Sequence, residues 1–132
     1  MIYVDTSVVL AELLAEDRHP PDAFWSDTLV SSRLLEYEVW VRVQARRLAR
    51  THGDAARALV GRVALLEMVS PVLARALEPF PKPVRTLDAL HLASVEFLRE
   101  RDPKIRLATY DTRQAAAAAK MGIALYDLDT LS

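Results

Sequence analysis

The sequence predicts an α/β protein with three layers, in which a central, mainly parallel sheet of four to five short strands is flanked by helices. Short β-prone segments alternate with longer helix-prone segments along all 132 residues, and this alternation is typical of a parallel sheet covered on both faces. Hydrophobic residues make up 52% of the chain, enough to bury one sizeable core. We therefore expect a single domain over residues 1–132.

The strands are predicted where β-branched and aliphatic residues gather, at residues 2–4, 29–31, 68–70, 105–109 and 123–126. Asp5-Thr6-Ser7 follows the first of them and suits the start of a helix over residues 8–15. Further helices are predicted at residues 23–27, 33–50, 55–67, 71–77, 86–101 and 112–121. Prolines and glycines separate these helices: Pro20 and Pro21, Gly53, the proline-rich loop at residues 79–83, and Gly122.

Composition excludes several classes of protein. The chain has no cysteine, which excludes disulfides, thiolate zinc sites and a cysteine nucleophile. No apolar run reaches the ~18 residues that span a bilayer. The N-terminus lacks a basic segment followed by a long apolar stretch, so we expect no signal peptide and a cytoplasmic location.

Charge is unevenly distributed, although the net charge is only −1. Between residues 33 and 62 seven arginines face three acidic residues, which gives a local charge of +4 and leaves −5 for the rest. Such a distribution suits a protein that binds phosphates on one side and cations on another. A solvated helix face in an arginine-rich chain is the alternative.

Two acidic residues follow predicted strands. Asp5 comes directly after the first strand and Asp111 shortly after the fourth, and open α/β sheets bind ligands at the carboxyl ends of their strands. Helix capping is the alternative for both, since Asp111 and Gln114 also have the spacing of a capping box.

A third acid, Asp88, lies in the first turn of the helix that Thr86 is expected to cap. It shares a helix face with His91, Leu92 and Val95. That face is mostly apolar, so we expect the carboxylate to point inward. A favourable interaction with the helix dipole, about 0.3–1 kcal/mol, is the alternative.

The fourth acid, Glu38, falls inside an expected apolar stripe of the helix at residues 33–50, formed by Leu34, Tyr37, Val41, Ala45 and Leu48. A carboxylate there is costly unless it is paired, protonated or near a cation. Arg42, one turn later, offers a salt bridge as the alternative. Glu36 is a weaker candidate, because it shares a face with Trp40 and Val43.

Together the four acids predict a Mg²⁺ site, with Mn²⁺ as a substitute. Like charges repel when they are brought together, and a hard divalent cation with oxygen ligands removes that conflict. A bound cation of this kind can activate a water and offset charge on a phosphodiester. This chemistry hydrolyses a nucleic-acid backbone without a covalent intermediate.

Four segments resemble the PIN domain, in particular the VapC toxins of bacterial type II toxin–antitoxin systems: residues 3–8, residues 32–38, the string Arg-Thr-Leu-Asp-Ala-Leu-His-Leu-Ala at 85–93, and residues 109–113. The resemblance implies a Mg²⁺-dependent endoribonuclease. It implies catalytic roles for Asp5, Glu38, Asp88 and Asp111, with Asp5 and Asp88 as direct metal ligands. Thr6 and Thr109 resemble supporting hydroxyls, and His91 is expected to be structural or to support the ligands.

The resemblance also implies an RNA substrate, a homodimer and a cognate VapB-type antitoxin. Trp40, Val43 and the proline-rich loop are either partner surface or local packing. Some relatives carry another acid after the Asp111 position, where this chain has Thr112, Arg113 and Gln114. A second metal ion is therefore left open.

Two other classes of protein were weighed. A catalytically silent PIN-like module that binds RNA or protein is disfavoured because all four acids are present. A phosphoryl-accepting receiver domain needs an acidic pair after the first strand and a lysine after a late strand. Asp5-Thr6 supplies no such pair, and no lysine follows residues 105–109 within reach.

Overall fold

Five parallel strands form one sheet in the computed structural model, which describes residues 1–129. The strands are β1 (Ile2–Val4), β2 (Leu29–Ser32), β3 (Ala64–Leu66), β4 (Arg106–Ala108) and β5 (Ala124–Leu125). Six α-helices flank them: α1 (Thr6–Leu13), α2 (Arg33–Ala45), α3 (Ala49–Val60), α4 (Ser70–Ala76), α5 (Thr86–Arg99) and α6 (Thr112–Lys120). A short 3-10 helix covers Asp22–Ser26. The predicted fold class is confirmed.

The strand order β3-β2-β1-β4-β5 places β1 at the centre of the sheet. The chain winds outward from β1 through β2 to β3, and then returns to the other side of β1 as β4. The order thus reverses between β1 and β4, which is where ligand crevices open at the carboxyl ends of parallel strands. Val4 pairs with Ala108, so the residues that follow β1 and β4 lie side by side at this crevice.

Two hydrophobic clusters form the core, one on each face of the sheet. Ile2 and Val4 pack with α1, α2 and α3, whereas Tyr3 packs on the opposite face with α5 and α6. The alternation follows from the period of two along a strand. Because both faces are covered, β1 is fully buried.

The long helix predicted at residues 33–50 ends at Ala45, five residues early. Arg47 then adopts a φ of +56° and the Leu48 N–H donates to the Val43 carbonyl at 2.9 Å, which is a Schellman-type ending without glycine. Gly53, the expected break, lies inside α3 instead. It is buried beside Trp40, whose ring would be 3.7 Å from an added Cβ.

Two further boundaries differ from the prediction. The third strand is Ala64–Leu66 rather than residues 68–70, because α3 ends at Val60 and frees the next residues to pair with β2. Short apolar runs fit a helix end or a strand equally well by periodicity alone. Arg85, not Thr86, is the residue before α5, and no side chain caps that helix. Among the described residues, no helix is long and apolar enough to cross a membrane.

Candidate active site

Asp5 begins α1 directly after β1, and it is almost fully buried. Its Oδ2 accepts hydrogen bonds from the Ser7 backbone N–H at 3.2 Å, from the Ser7 hydroxyl, and from the Thr109 hydroxyl at 2.9 Å. Its Oδ1 accepts no hydrogen bond within residues 1–129 and lies 3.8 Å from His91 Nε2. Helix capping therefore uses one oxygen of Asp5 and leaves the other available to a ligand.

At the start of α6, Asp111 likewise uses one carboxylate oxygen to cap the helix and the other for a different contact. Its Oδ1 accepts from the backbone N–H groups of Arg113 at 2.9 Å and Gln114 at 3.3 Å, while its Oδ2 accepts from Arg85 at 3.3 Å. The Asp111 N–H donates to the Thr109 hydroxyl at 3.0 Å. Since that hydroxyl donates in turn to Asp5, Thr109 links the two acids.

Asp88 lies on the buried face of α5 with His91, Leu92 and Val95, as the helix pattern predicts, and its side chain is 16% exposed. The carboxylate accepts no hydrogen bond from the described part of the chain. Burial raises the pKa of Asp88 to about 6, and the charges of Asp111 and Asp5 add to this effect. Arg85 lies 3.7 Å from Asp88 Oδ2 and 3.3 Å from Asp111 Oδ2, so Asp88 and Asp111 face the same crevice.

Glu38 reaches the crevice from α2, with its side chain 21% exposed. Its Oε1 accepts hydrogen bonds from the Thr6 hydroxyl at 2.8 Å and from His91 Nε2 at 2.7 Å. Burial alone would raise the pKa of Glu38, but the hydrogen bond and charge of His91, together with Thr6, lower it below its ordinary value. The carboxylate is therefore held ionised, and its Oε2 accepts no hydrogen bond within residues 1–129.

The prediction of an apolar stripe through Tyr37 and Val41 on α2 is wrong. Tyr37 is 62% exposed and Val41 48% exposed, whereas the buried residues of this helix are Leu34, Leu35, Val39 and Val43. The stripe was placed out of phase, because the helix packs its 35–39–43 side against the sheet. Glu38 instead borders this buried side.

The pairing of Glu38 also differs from the sequence alternatives. No salt bridge joins it to Arg42 among the described residues; its charged partner is His91, 53 residues away. Glu36 is turned away from the crevice and pairs with Arg33 at 3.5 Å.

His91 is the residue whose importance the sequence underestimates. It is fully buried, and its Nδ1 lies 2.8 Å from the Tyr3 hydroxyl while its Nε2 donates to Glu38. Burial lowers the pKa of His91, but Tyr3, the hydrogen bond to Glu38 and the charge of Asp5 raise it above its ordinary value. An imidazole with a hydrogen-bonding partner at each nitrogen thus lies beneath the acids. Its position three residues after Asp88, on the same helix face, was the available signal.

Ser7 is a second residue that the sequence interpretation missed. Its hydroxyl donates to Asp5 and accepts from the Tyr110 N–H at 3.0 Å, so it ties the start of α1 to the end of β4. The capping sequence Asp5-Thr6-Ser7 was the signal, although it pointed only to a helix start.

Carboxylate oxygens that lack a hydrogen bond within residues 1–129 are the atoms able to bind a cation: Asp5 Oδ1, Glu38 Oε2 and both oxygens of Asp88. Oxygen donors of this kind suit Mg²⁺ or Mn²⁺. Within residues 1–129, no three acidic, histidine or cysteine side chains lie close enough together to form a complete metal-binding group. By chemistry the donor set fits a hard divalent cation, with two available oxygens on Asp88 and one each on Asp5 and Glu38.

A family model described as the PIN domain matches residues 2–120, a range that includes all four acids. No curated protein matches the chain.

Proposed function

The chain belongs to the PIN domain family, whose members are generally nucleases that use divalent metal ions, and we propose that it is a Mg²⁺-dependent endoribonuclease. The observation that carries this proposal is the set of four acids around the crevice between β1 and β4, several of which keep an oxygen without a protein partner. Mn²⁺ is the expected substitute for Mg²⁺, because both take oxygen ligands.

Asp5 and Asp88 are the proposed direct ligands of the metal ion. A divalent cation held there supplies a water of lowered pKa and offsets charge on the phosphodiester. Glu38, held by His91 and Thr6, is the proposed acceptor of a proton from a water in the crevice. Asp111 adds negative charge at the rim and, through Thr109, supports the orientation of Asp5.

RNA as the substrate is supported by the arginines at the end of α2 and the start of α3. Arg42 follows Glu38 by one helical turn, and its charge contributes to lowering the pKa of Glu38. Arg46, Arg47 and Arg50 follow it, and all four side chains are exposed. None of the four forms an ion pair with another described residue, so they are available to phosphates.

A VapC-type toxin is the biological role that we propose, with a cognate VapB-type antitoxin as its inhibitor. The exposed Tyr37 and Val41, with Trp40 beside them, line an open groove of about 760 Å³ on the outer side of α2. An apolar groove on the outer side of the helix that carries Glu38 suits a protein partner. A homodimer is proposed as well, supported by the exposed leucines Leu73, Leu77 and Leu87 around α4 and α5.

Cleavage of RNA with and without metal tests the activity. The wild type should cleave with Mg²⁺ and stop in EDTA, and D5N and D88N should each lose about 100-fold or more, because several kcal/mol of charge stabilisation is removed. D54N is the matched control, since Asp54 is fully exposed and its only ion-pair partner within residues 1–129 is Arg57.

Equal cleavage by the wild type, D5N and D88N would overturn the proposal. RNA binding without cleavage under any metal condition would instead favour the catalytically silent module.

A further inference from the structure

Arg85 lies over the acids at the start of α5. Its Nη2 donates to Asp111 Oδ2 at 3.3 Å, and its Nε lies 3.7 Å from Asp88 Oδ2. Among the described residues, no other lysine or arginine forms an ion pair with any of the four acids. One guanidinium therefore bridges two acids that come from different helices.

The oxygens that Arg85 contacts are the ones that remain after capping. Asp111 Oδ1 is committed to the N-terminus of α6, so only its Oδ2 can face the crevice. Asp88 has no hydrogen-bond donor of its own within residues 1–129. Arg85 thus supplies positive charge to the same outward oxygens that a cation would need.

The Arg85 side chain can also move away from the two carboxylates. It is 71% exposed, and ion pairs with an exposed partner are weak and easily exchanged. A guanidinium released at the edge of the crevice presents a planar set of donors that matches a phosphate group.

We propose that Arg85 is an exchangeable counterion of the active site: it pairs with Asp88 and Asp111 in the metal-free protein and competes with the metal ion for Asp88. When Asp88 binds the cation, Arg85 turns to a phosphate of the RNA. The inference rests on the proposed nuclease function and adds a regulatory and a substrate-binding role for a residue outside the four acids.

The metal affinity of the protein without RNA tests the proposed counterion role of Arg85. Calorimetric titration with Mg²⁺ and with Mn²⁺ should give a dissociation constant about three- to tenfold lower for R85Q than for the wild type. R101Q is the matched control, because Arg101 is exposed, lies just beyond the other end of α5, and stacks on Phe97 rather than on the acids. R85K keeps the charge and should stay within about twofold of the wild type. Thermal melts of each variant verify that it is folded.

The affinity for RNA tests the proposed phosphate-binding role of Arg85. In an E38Q background with saturating Mg²⁺, which keeps both proposed metal ligands and removes the proposed proton acceptor, R85Q should bind a single-stranded RNA about three- to tenfold more weakly, and the slope of log affinity against log salt should fall by about 0.7.

Unchanged or weaker metal binding by R85Q would overturn the counterion role, as would equal tightening by R85K. Unchanged RNA affinity would overturn the phosphate role. Both results leave the nuclease proposal standing if the wild type still cleaves. If the wild type neither binds a divalent ion nor cleaves, the proposed function and the inference fail together.

Discussion

Replacement of Asp88 by asparagine should stabilise the metal-free protein at neutral pH. Burial, with the charges of Asp111 and Asp5, raises the pKa of Asp88 from 3.8 to about 6. Since the folded-state pKa lies above the unfolded one, the stability that this group contributes is fully present below about pH 4 and is lost as pH rises through 6. At pH 7.5 the wild type therefore holds an ionised carboxylate where the fold disfavours it, and D88N does not.

The size of the effect follows from that pKa. The difference between 3.8 and about 6 corresponds to about 3 kcal/mol. The crevice is open to solvent, and screening reduces this figure to about 1–2 kcal/mol. In a domain of this size such a gain raises the melting temperature by roughly 3–8 °C.

Thermal and urea unfolding in EDTA measure this difference at pH 7.5 and at pH 4. D88N should exceed the wild type at pH 7.5 and match it at pH 4, while D54N, a change at a fully exposed acid, should match the wild type at both. Saturating Mg²⁺ should reverse the order, because only the wild type retains the full ligand set and gains binding free energy. A D88N protein no more stable than the wild type at pH 7.5 in EDTA would refute the reasoning.

Three further predictions concern the residues around the acids. H91Q should lower the free energy of unfolding in urea by about 2–4 kcal/mol, since it removes the buried partner of Glu38 and Tyr3. The change H19Q, at an exposed histidine, should cost under about 0.5 kcal/mol, and a similarly small loss for H91Q would contradict the buried network. T109V should reduce RNA cleavage and Mg²⁺ affinity by about 10–100-fold, with T109S close to the wild type; equal losses in both would show that the hydroxyl is not what matters. R42Q should reduce the salt dependence of RNA binding by about 0.7 in slope, and an unchanged slope would place RNA elsewhere.

Local patterns in the sequence were sufficient to predict the fold class and the positions of some of the candidate site residues. The alternation of strands and helices depends only on nearby residues, and it predicted the parallel sheet. Asp5 and Asp111 could be placed because a strand end and a helix cap are both local features. The inward direction of Asp88 followed from the helix period, which also places His91 on its face.

Helix ends and helix phase depended on packing. α2 ends at a non-glycine residue in the left-handed region, Arg47, and no local signal marks such a position, since this conformation is unfavourable for an arginine on its own. The side of α2 that faces the sheet was likewise set by contacts with distant strands, so Tyr37 and Val41 are exposed although the sequence suggested burial.

The partners of the acids were decided by tertiary structure alone. The hydroxyl of Thr109 reaches Asp5 across 104 residues of sequence because β1 and β4 pair in one register, and His91 reaches Glu38 because α5 and α2 cover opposite faces of the same short sheet. Sequence alone named the four acids. The fold decided that capping uses one oxygen each of Asp5 and Asp111, since only the packed strands and helices determine which lone pairs remain open to a cation.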